Sequence, residues 1–192
     1  MVRGGRFARG FAMESEQYVS PVLAAGSIGI VFAALFAILA AEHPAATRLR
    51  AFLTGHGQKA MFAVAATAMA GSLYYSEYVG FTPCDLCWYQ RIAMYPLAIL
   101  LGVTIVSRGR LAPKYVVTLA GIGLLISIYH YQLELFPDQA QICTGSAVSC
   151  TVRFVEEFGF VSIPFMAGAS FLTILLLQTA DWRVRYLEAR GL

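Results

Sequence analysis

The chain has 192 residues, 58% of them apolar and 13% charged, with four cysteines, a formal net charge of +3 and a mean hydropathy of +0.66. A soluble domain carries about a quarter of its residues charged, and a disordered chain is poor in apolar residues, so this balance excludes both. A small positive surplus on so apolar a chain points to placement in a bilayer and not to a nucleic-acid partner.

Residues 1–21 form a leader with Arg3, Arg6 and Arg9 followed by Glu14 and Glu16. Long runs without Asp, Glu, Lys or Arg then cover 22–41, 60–76, 92–107, 115–131 and 163–180. About 20 helical residues cross a hydrocarbon core of about 30 Å, and about 17 is the lower limit. Five transmembrane helices are therefore expected, since the runs lack the polar faces that a soluble α-bundle needs. Trp88 and Tyr89 extend the third run into the interfacial layer. The expected fold is an all-α integral membrane protein. It has a four-helix core over 60–180, an additional N-terminal helix over 22–41 and a cytoplasmic tail at 181–192.

Two connections are chemically distinctive: 80–91, with the string PCDLCWYQR, and 132–162, with Cys143 and Cys150. Two spans separate them, so both emerge on one face of the membrane. Segments 42–59, 108–114 and 181–192 hold nine Lys and Arg residues, whereas the two cysteine connections hold only Arg91 and Arg153. Positive loops stay in the cytoplasm, which places the cysteines on the extracytoplasmic side, where disulfides persist. The first span must then begin outside, against the pull of the three leader arginines. A translation start at Met13 would remove that conflict by leaving a short acidic leader.

Cys84 and Cys87 form a C-x-x-C motif just before the third span. A helix beginning near Cys87 would aim free N–H groups and its positive dipole end at that thiol and favour the thiolate, while Pro83 fixes the approach of the chain. Cys143 and Cys150 enclose the small, flexible stretch Thr-Gly-Ser-Ala-Val-Ser. A mobile disulfide above a fixed dithiol suits electron transfer. Residues 152–160 have apolar positions at helical spacing and are expected as a short amphipathic helix on the membrane surface. Structural zinc would normally use two C-x-x-C knuckles, so no metal is expected. Static disulfides in a non-catalytic membrane scaffold are the alternative, but a loop as small as C-x-x-C gains little stability from closure. Exchange chemistry accounts for the spacing better, and a transporter would carry ionisable groups deep in several spans.

Arg91 lies four residues after Cys87, on the same helix face and one turn deeper. A cation at that depth is costly unless it serves a polar partner, here a carbonyl oxygen of a lipid-soluble acceptor. His130, at the outer end of the fourth span, is a candidate second donor or proton source. Gln90 and Glu77 are weaker candidates.

PCDLCWYQR after a hydrophobic span, MYPL within the next, YHY at the end of another and a cysteine pair before FGFVSIPF together resemble the DsbB disulfide bond formation proteins. The short C-x6-C loop and SLYYSE at 72–77 are similar to the compact BdbC-type branch. In the vitamin K epoxide reductase relatives the loop pair precedes the C-x-x-C, and here it follows. The resemblance implies a four-helix bundle in the bacterial inner (plasma) membrane that reoxidises a thioredoxin-fold, DsbA-like disulfide donor. The electrons pass to a membrane quinone, ubiquinone or menaquinone, in support of disulfide formation in exported proteins. It also implies residue roles. Cys143 forms the mixed disulfide with the donor and Cys150 is its mate; Cys84 exchanges with the loop pair, and Cys87 engages the quinone. Arg91 binds near the quinone ring oxygen, and His130 matches a histidine at the corresponding span end. The added first span and Gln90, where some members have an acidic residue, depart from the pattern.

Overall fold

The computed structural model describes residues 4–41, 47–139 and 148–190. Five long helices account for most of the chain: α1 (Gly4–Ala41), α2 (Thr47–Leu73), α3 (Asp85–Val106), α4 (Pro113–Leu135) and α5 (Ile163–Ala189). The end of α2 runs on as a π-helical segment, Tyr74–Val79, and a 3-10 turn, Pro137–Gln139, follows α4. Among the described residues, four stretches are long and apolar enough to cross a membrane: Ser15–Phe36, Asp85–Val106, Pro113–Leu135 and Ile163–Leu187. Helix α2 is not among them, because its alanine-rich part, 60–73, is short and follows His56, Gln58 and Lys59.

Large apolar side chains point outward on every one of these four stretches. Phe32, Ile92, Leu125 and Trp182 are all more than half exposed, and Val106 reaches 85%. Such an exterior is at home in lipid, where helices satisfy their own backbone groups. The protein is an all-α, multi-pass membrane bundle.

Side-chain ties fix the packing. At one end Arg91 Nη2 donates to the Ser72 carbonyl oxygen at 3.2 Å, and at the other Gln58 Nε2 donates to Thr104 Oγ1 at 2.8 Å, so α2 and α3 are antiparallel. Gln90 Nε2 donates to Ser127 Oγ at 3.0 Å, joining α3 to α4. Helix α5 returns along α4 so closely that the Phe171 ring fills the place where a Cβ on Gly123 would stand. The buried core between them includes Leu97, Leu101, Val116, Ala120, Phe171 and Ile174. Helix α1 runs beside α5, with Ser15 next to Tyr74 at one end and Ile38 packed on Ala180 and Val184 at the other.

The two ends differ in charge. Asp181, buried, receives Arg110 at 2.7 Å and Arg185 at 2.9 Å, and Gln58 Oε1 accepts from the Leu111 N–H at 3.1 Å. These residues of the three basic segments meet at one end, and Cys84, Cys87 and Cys150 meet at the other. The first span begins at the cysteine end, as the charge argument requires.

Helix α3 starts at Asp85, two residues ahead of the start expected near Cys87, and Asp85 in its first turn complements the helix dipole. One local expectation is corrected. Residues 152–160 are not helical. Glu157 and Val161 instead exchange backbone hydrogen bonds, each 2.9 Å, around a turn with Phe158 at φ 53 and Gly159 at φ 76. A nine-residue helix is marginal by itself. Arg153 instead ties this loop to α4, 3.7 Å from Glu134 Oε2 and 3.1 Å from Glu156 Oε1.

Candidate redox site

Pro83 delivers the chain to Cys84 in an extended conformation, φ −76 and ψ 175, and Cys84 becomes the N-cap of α3. Its sulfur occupies the place usually taken by a serine or aspartate oxygen and accepts the Cys87 N–H at 3.4 Å. The thiol at the helix N-terminus is therefore Cys84, not Cys87 as the spacing suggested. Cys87 lies one turn in, with its Sγ 3.1 Å from Cys84 Sγ, and both thiols are free.

His130 reaches across from α4 with Nε2 3.6 Å from Cys84 Sγ. The Cys84 thiol is held well below the ordinary thiol range, first by the hydrogen bond from the Cys87 thiol. Burial opposes that effect, and His130 and the Cys87 backbone N–H add to it. Cys84 is thus the thiol kept ready as a nucleophile and leaving group. Cys150 is disulfide-bonded and fully buried in one cluster with Cys84, Leu86 and Leu133. Cys143 lies outside the described residues.

A cavity of about 490 Å³ opens between α1, α2, α3 and α5, and Cys87, Gln90 and Arg91 are in its wall. Cys84 and His130 do not line it, so the dithiol has one sulfur toward the loop disulfide and one toward the cavity. Arg91 stacks over the Trp88 ring at 5.2 Å and gives Nη2 to Ser72. Its buried Nε has no hydrogen-bond partner, an unmet donor at the cavity wall that suits a carbonyl oxygen. Gln90 spends its amide N–H on Ser127, which makes it a tie between helices as well as a lining residue.

Tyr75, Phe81 and Phe154 also line the cavity and form a stacked row, with ring centroids 5.9 Å and 4.8 Å apart. This row depends on Gly80, which ends the π segment at φ 87 and turns Phe81 back so that its N–H meets the Tyr75 carbonyl oxygen at 2.9 Å. The aromatic row was not legible in the sequence, because nothing in local spacing brings residue 154 to residue 81.

Two expected residues stand elsewhere. His130 serves Cys84 and not the cavity, since α4 contributes no wall to it. Glu77 is exposed and accepts from Ser76 Oγ at 2.9 Å, away from the cavity lining. The sulfurs of Cys84 and Cys87 and a ring nitrogen of His130 lie within 4.8 Å of one another, a donor set able to hold a soft metal ion. A structural zinc site would ordinarily use four protein ligands.

Replacing His130 by leucine removes one of the groups that favour the Cys84 thiolate. The ultraviolet thiolate absorbance of the reduced protein should then titrate at higher pH than in the wild type. An unchanged titration would mean that the imidazole does not act on this sulfur.

A dithiol capped onto a transmembrane helix, beside a loop disulfide and an apolar cavity, defines a membrane thiol–disulfide oxidoreductase. Residues 57–180, more than half of the chain, match the family described as "Disulfide bond formation protein DsbB", and the chain belongs to that family. It is 47% identical over 114 residues to the "Probable disulfide formation protein" of Oceanobacillus iheyensis, covering 58% of this chain and 78% of that one. It is 44% identical over 121 residues to "Disulfide bond formation protein C" of Bacillus subtilis, covering 62% and 87%. To "Probable disulfide formation protein C 2" of Bacillus anthracis it is 41% identical over 114 residues, covering 59% and 81%. These relatives agree with the resemblance to the compact branch. No solved structure matches the chain.

Proposed function

We propose that this protein reoxidises an extracytoplasmic thioredoxin-fold disulfide donor and passes the electrons to a membrane quinone. It does so in the bacterial inner (plasma) membrane, with its cysteines on the extracytoplasmic face. The observation that carries this reading is the division of the dithiol: Cys84 lies in a buried cluster with the disulfide-bonded Cys150, and Cys87 lines the cavity beside Arg91.

The exchange runs as follows. A donor thiolate attacks the Cys143–Cys150 disulfide at Cys143, Cys150 leaves as a thiolate, and the second donor thiol displaces Cys143, leaving the donor oxidised and the loop pair reduced. A loop thiolate then attacks the Cys84–Cys87 disulfide at Cys84 and expels Cys87 toward the cavity. The other loop thiol displaces Cys84, re-forming the loop disulfide. His130 and the helix N-terminal N–H receive Cys84 as a thiolate, close enough to Cys87 to close the bond again.

Ubiquinone or menaquinone, when bound, supplies the oxidant by accepting two electrons and two protons and leaving as quinol. Arg91 fits such an acceptor, because its unmet Nε donor and fixed charge stand where negative charge develops.

The test mixes purified full-length protein, a reduced thioredoxin-fold donor and a soluble quinone analogue, and follows quinone absorbance. Quinone loss that requires the donor thiols and disappears in Cys87→Ala is the expected result. Equal rates for wild type and Cys87→Ala would overturn the reading.

A further inference from the structure

The family match covers 57–180 and leaves α1 outside it, yet α1 is built into the bundle. The hydroxyls of Ser20 and Tyr75, both buried, lie 2.9 Å apart, and those of Ser15 and Tyr74 lie 2.8 Å apart. The Leu23 side chain lies against Gly71, 3.6 Å from where a Cβ would stand. Between this end and the Ile38 contact with Ala180 and Val184, one face of α1 presents Val22, Gly26 and Ile30 to the cavity that Cys87 and Arg91 line. Residues spaced i, i+4 and i+8 make a straight wall of about 12 Å.

The chemistry changes along the cavity. Its polar groups converge where Arg91, Gln90 and Cys87 stand. Along α1 the one hydroxyl in the wall, Ser27 Oγ, is turned back to the Ala24 carbonyl oxygen at 2.7 Å, so this stretch offers a ligand only apolar surface. The facing wall on α2 includes the small residues Ala68 and Gly71, which keeps the slot wide. Val22 is 70% exposed while lining the cavity, so the slot opens to lipid along this edge.

We propose that α1 is the wall that holds the apolar tail of the electron acceptor and sets the preference for long-tailed over tail-less acceptors. This rests on the proposed quinone reaction and extends it. The ring end meets Arg91 and Cys87, and the tail lies along Val22, Gly26 and Ile30 on its way to the lipid. Gly26 is the sensitive position: a Cβ there has nothing within 4 Å, so a larger side chain enters the slot without straining the fold. Gly29 is equally open but does not line the cavity, which makes it a matched control on the same helix.

The test compares wild type, Gly26→Leu and Gly29→Leu as full-length proteins in lipid nanodiscs. With a long-tailed isoprenoid quinone, Gly26→Leu should raise KM by about tenfold, the scale of discrimination available from a few methylenes in an apolar pocket. KM for a tail-less ring analogue and the rate of donor oxidation should stay at the wild-type values, and Gly29→Leu should match wild type throughout. A second readout is independent of turnover. A quinone with a photoreactive group on its tail should label residues 22–30 by mass spectrometry, and the label should be lost in Gly26→Leu. Equal effects on both acceptors, no effect on either, or a label confined to α2, α3 and α5 would overturn the role of α1. Wild-type protein that reduces no quinone at all would instead sink the proposed reaction, while the labelling still reports on α1 separately.

Discussion

Serine at Cys84 should lower donor-dependent turnover by at least about 10³-fold, because a hydroxyl of ordinary acidity cannot form or leave a disulfide. The loss should fall entirely on electron transfer from the loop pair. Cys84 is the sulfur that caps α3, faces His130 and shares a buried cluster with Cys150. Acceptor binding in the cavity, where Cys84 contributes no wall, should be unchanged. Serine at Cys87 should abolish turnover equally but for another reason. Cys84 would still be able to exchange with a loop cysteine and would accumulate as a mixed disulfide, visible as a shift on non-reducing gels after proteolysis between the two loops. The same species in both variants, or in neither, would contradict the division of roles.

Arg91→Met keeps the aliphatic stem but removes the charge and every N–H. The expected fall in kcat/KM for the acceptor is about 10²–10³-fold, the usual cost of losing a donor aimed at developing charge. Oxidation of the donor by the loop disulfide should proceed at its normal rate in a single turnover. Arg91→Lys should recover only part of the activity, since an ammonium cannot both reach the Ser72 carbonyl oxygen and offer a second, separately directed N–H as the guanidinium does. Separate measurement of the two half-reactions checks this. An equal effect on both would point to general damage to the bundle, whose α2–α3 tie Arg91 also makes.

The helical architecture was legible because charge-free runs of span length report directly on burial in lipid. The shared face of the two cysteine loops followed from counting spans, and the structure gathers Cys84, Cys87 and Cys150 accordingly. What local pattern does not encode is the identity of a cap. The spacing starts α3 near Cys87, whereas Pro83, Cys84 and Asp85 start it two residues earlier, and that exchanges the expected properties of the two thiols. His130 was legible as a polar residue at a span end, but its partner is 46 positions away in sequence, so its assignment to Cys84 required the packing of α4 on α3. The Val152–Phe160 segment has helical spacing, but its stability is decided by tertiary ties through Arg153 and by the left-handed pair Phe158 and Gly159. The place of α1 was beyond sequence altogether, since an apolar helix facing lipid and one facing a slot in the same bundle have the same composition.

Cys87, and not Cys84, is the sulfur presented to the apolar cavity. The direct measurement treats the reduced full-length protein in nanodiscs with a maleimide carrying an apolar tail, at limiting amounts, and locates the modified cysteine by mass spectrometry. Modification should fall first on Cys87, despite the greater acidity of Cys84, because access from the lipid side leads to Cys87. Modification that falls first on Cys84 would mean that Cys84, not Cys87, is the sulfur reached from the cavity.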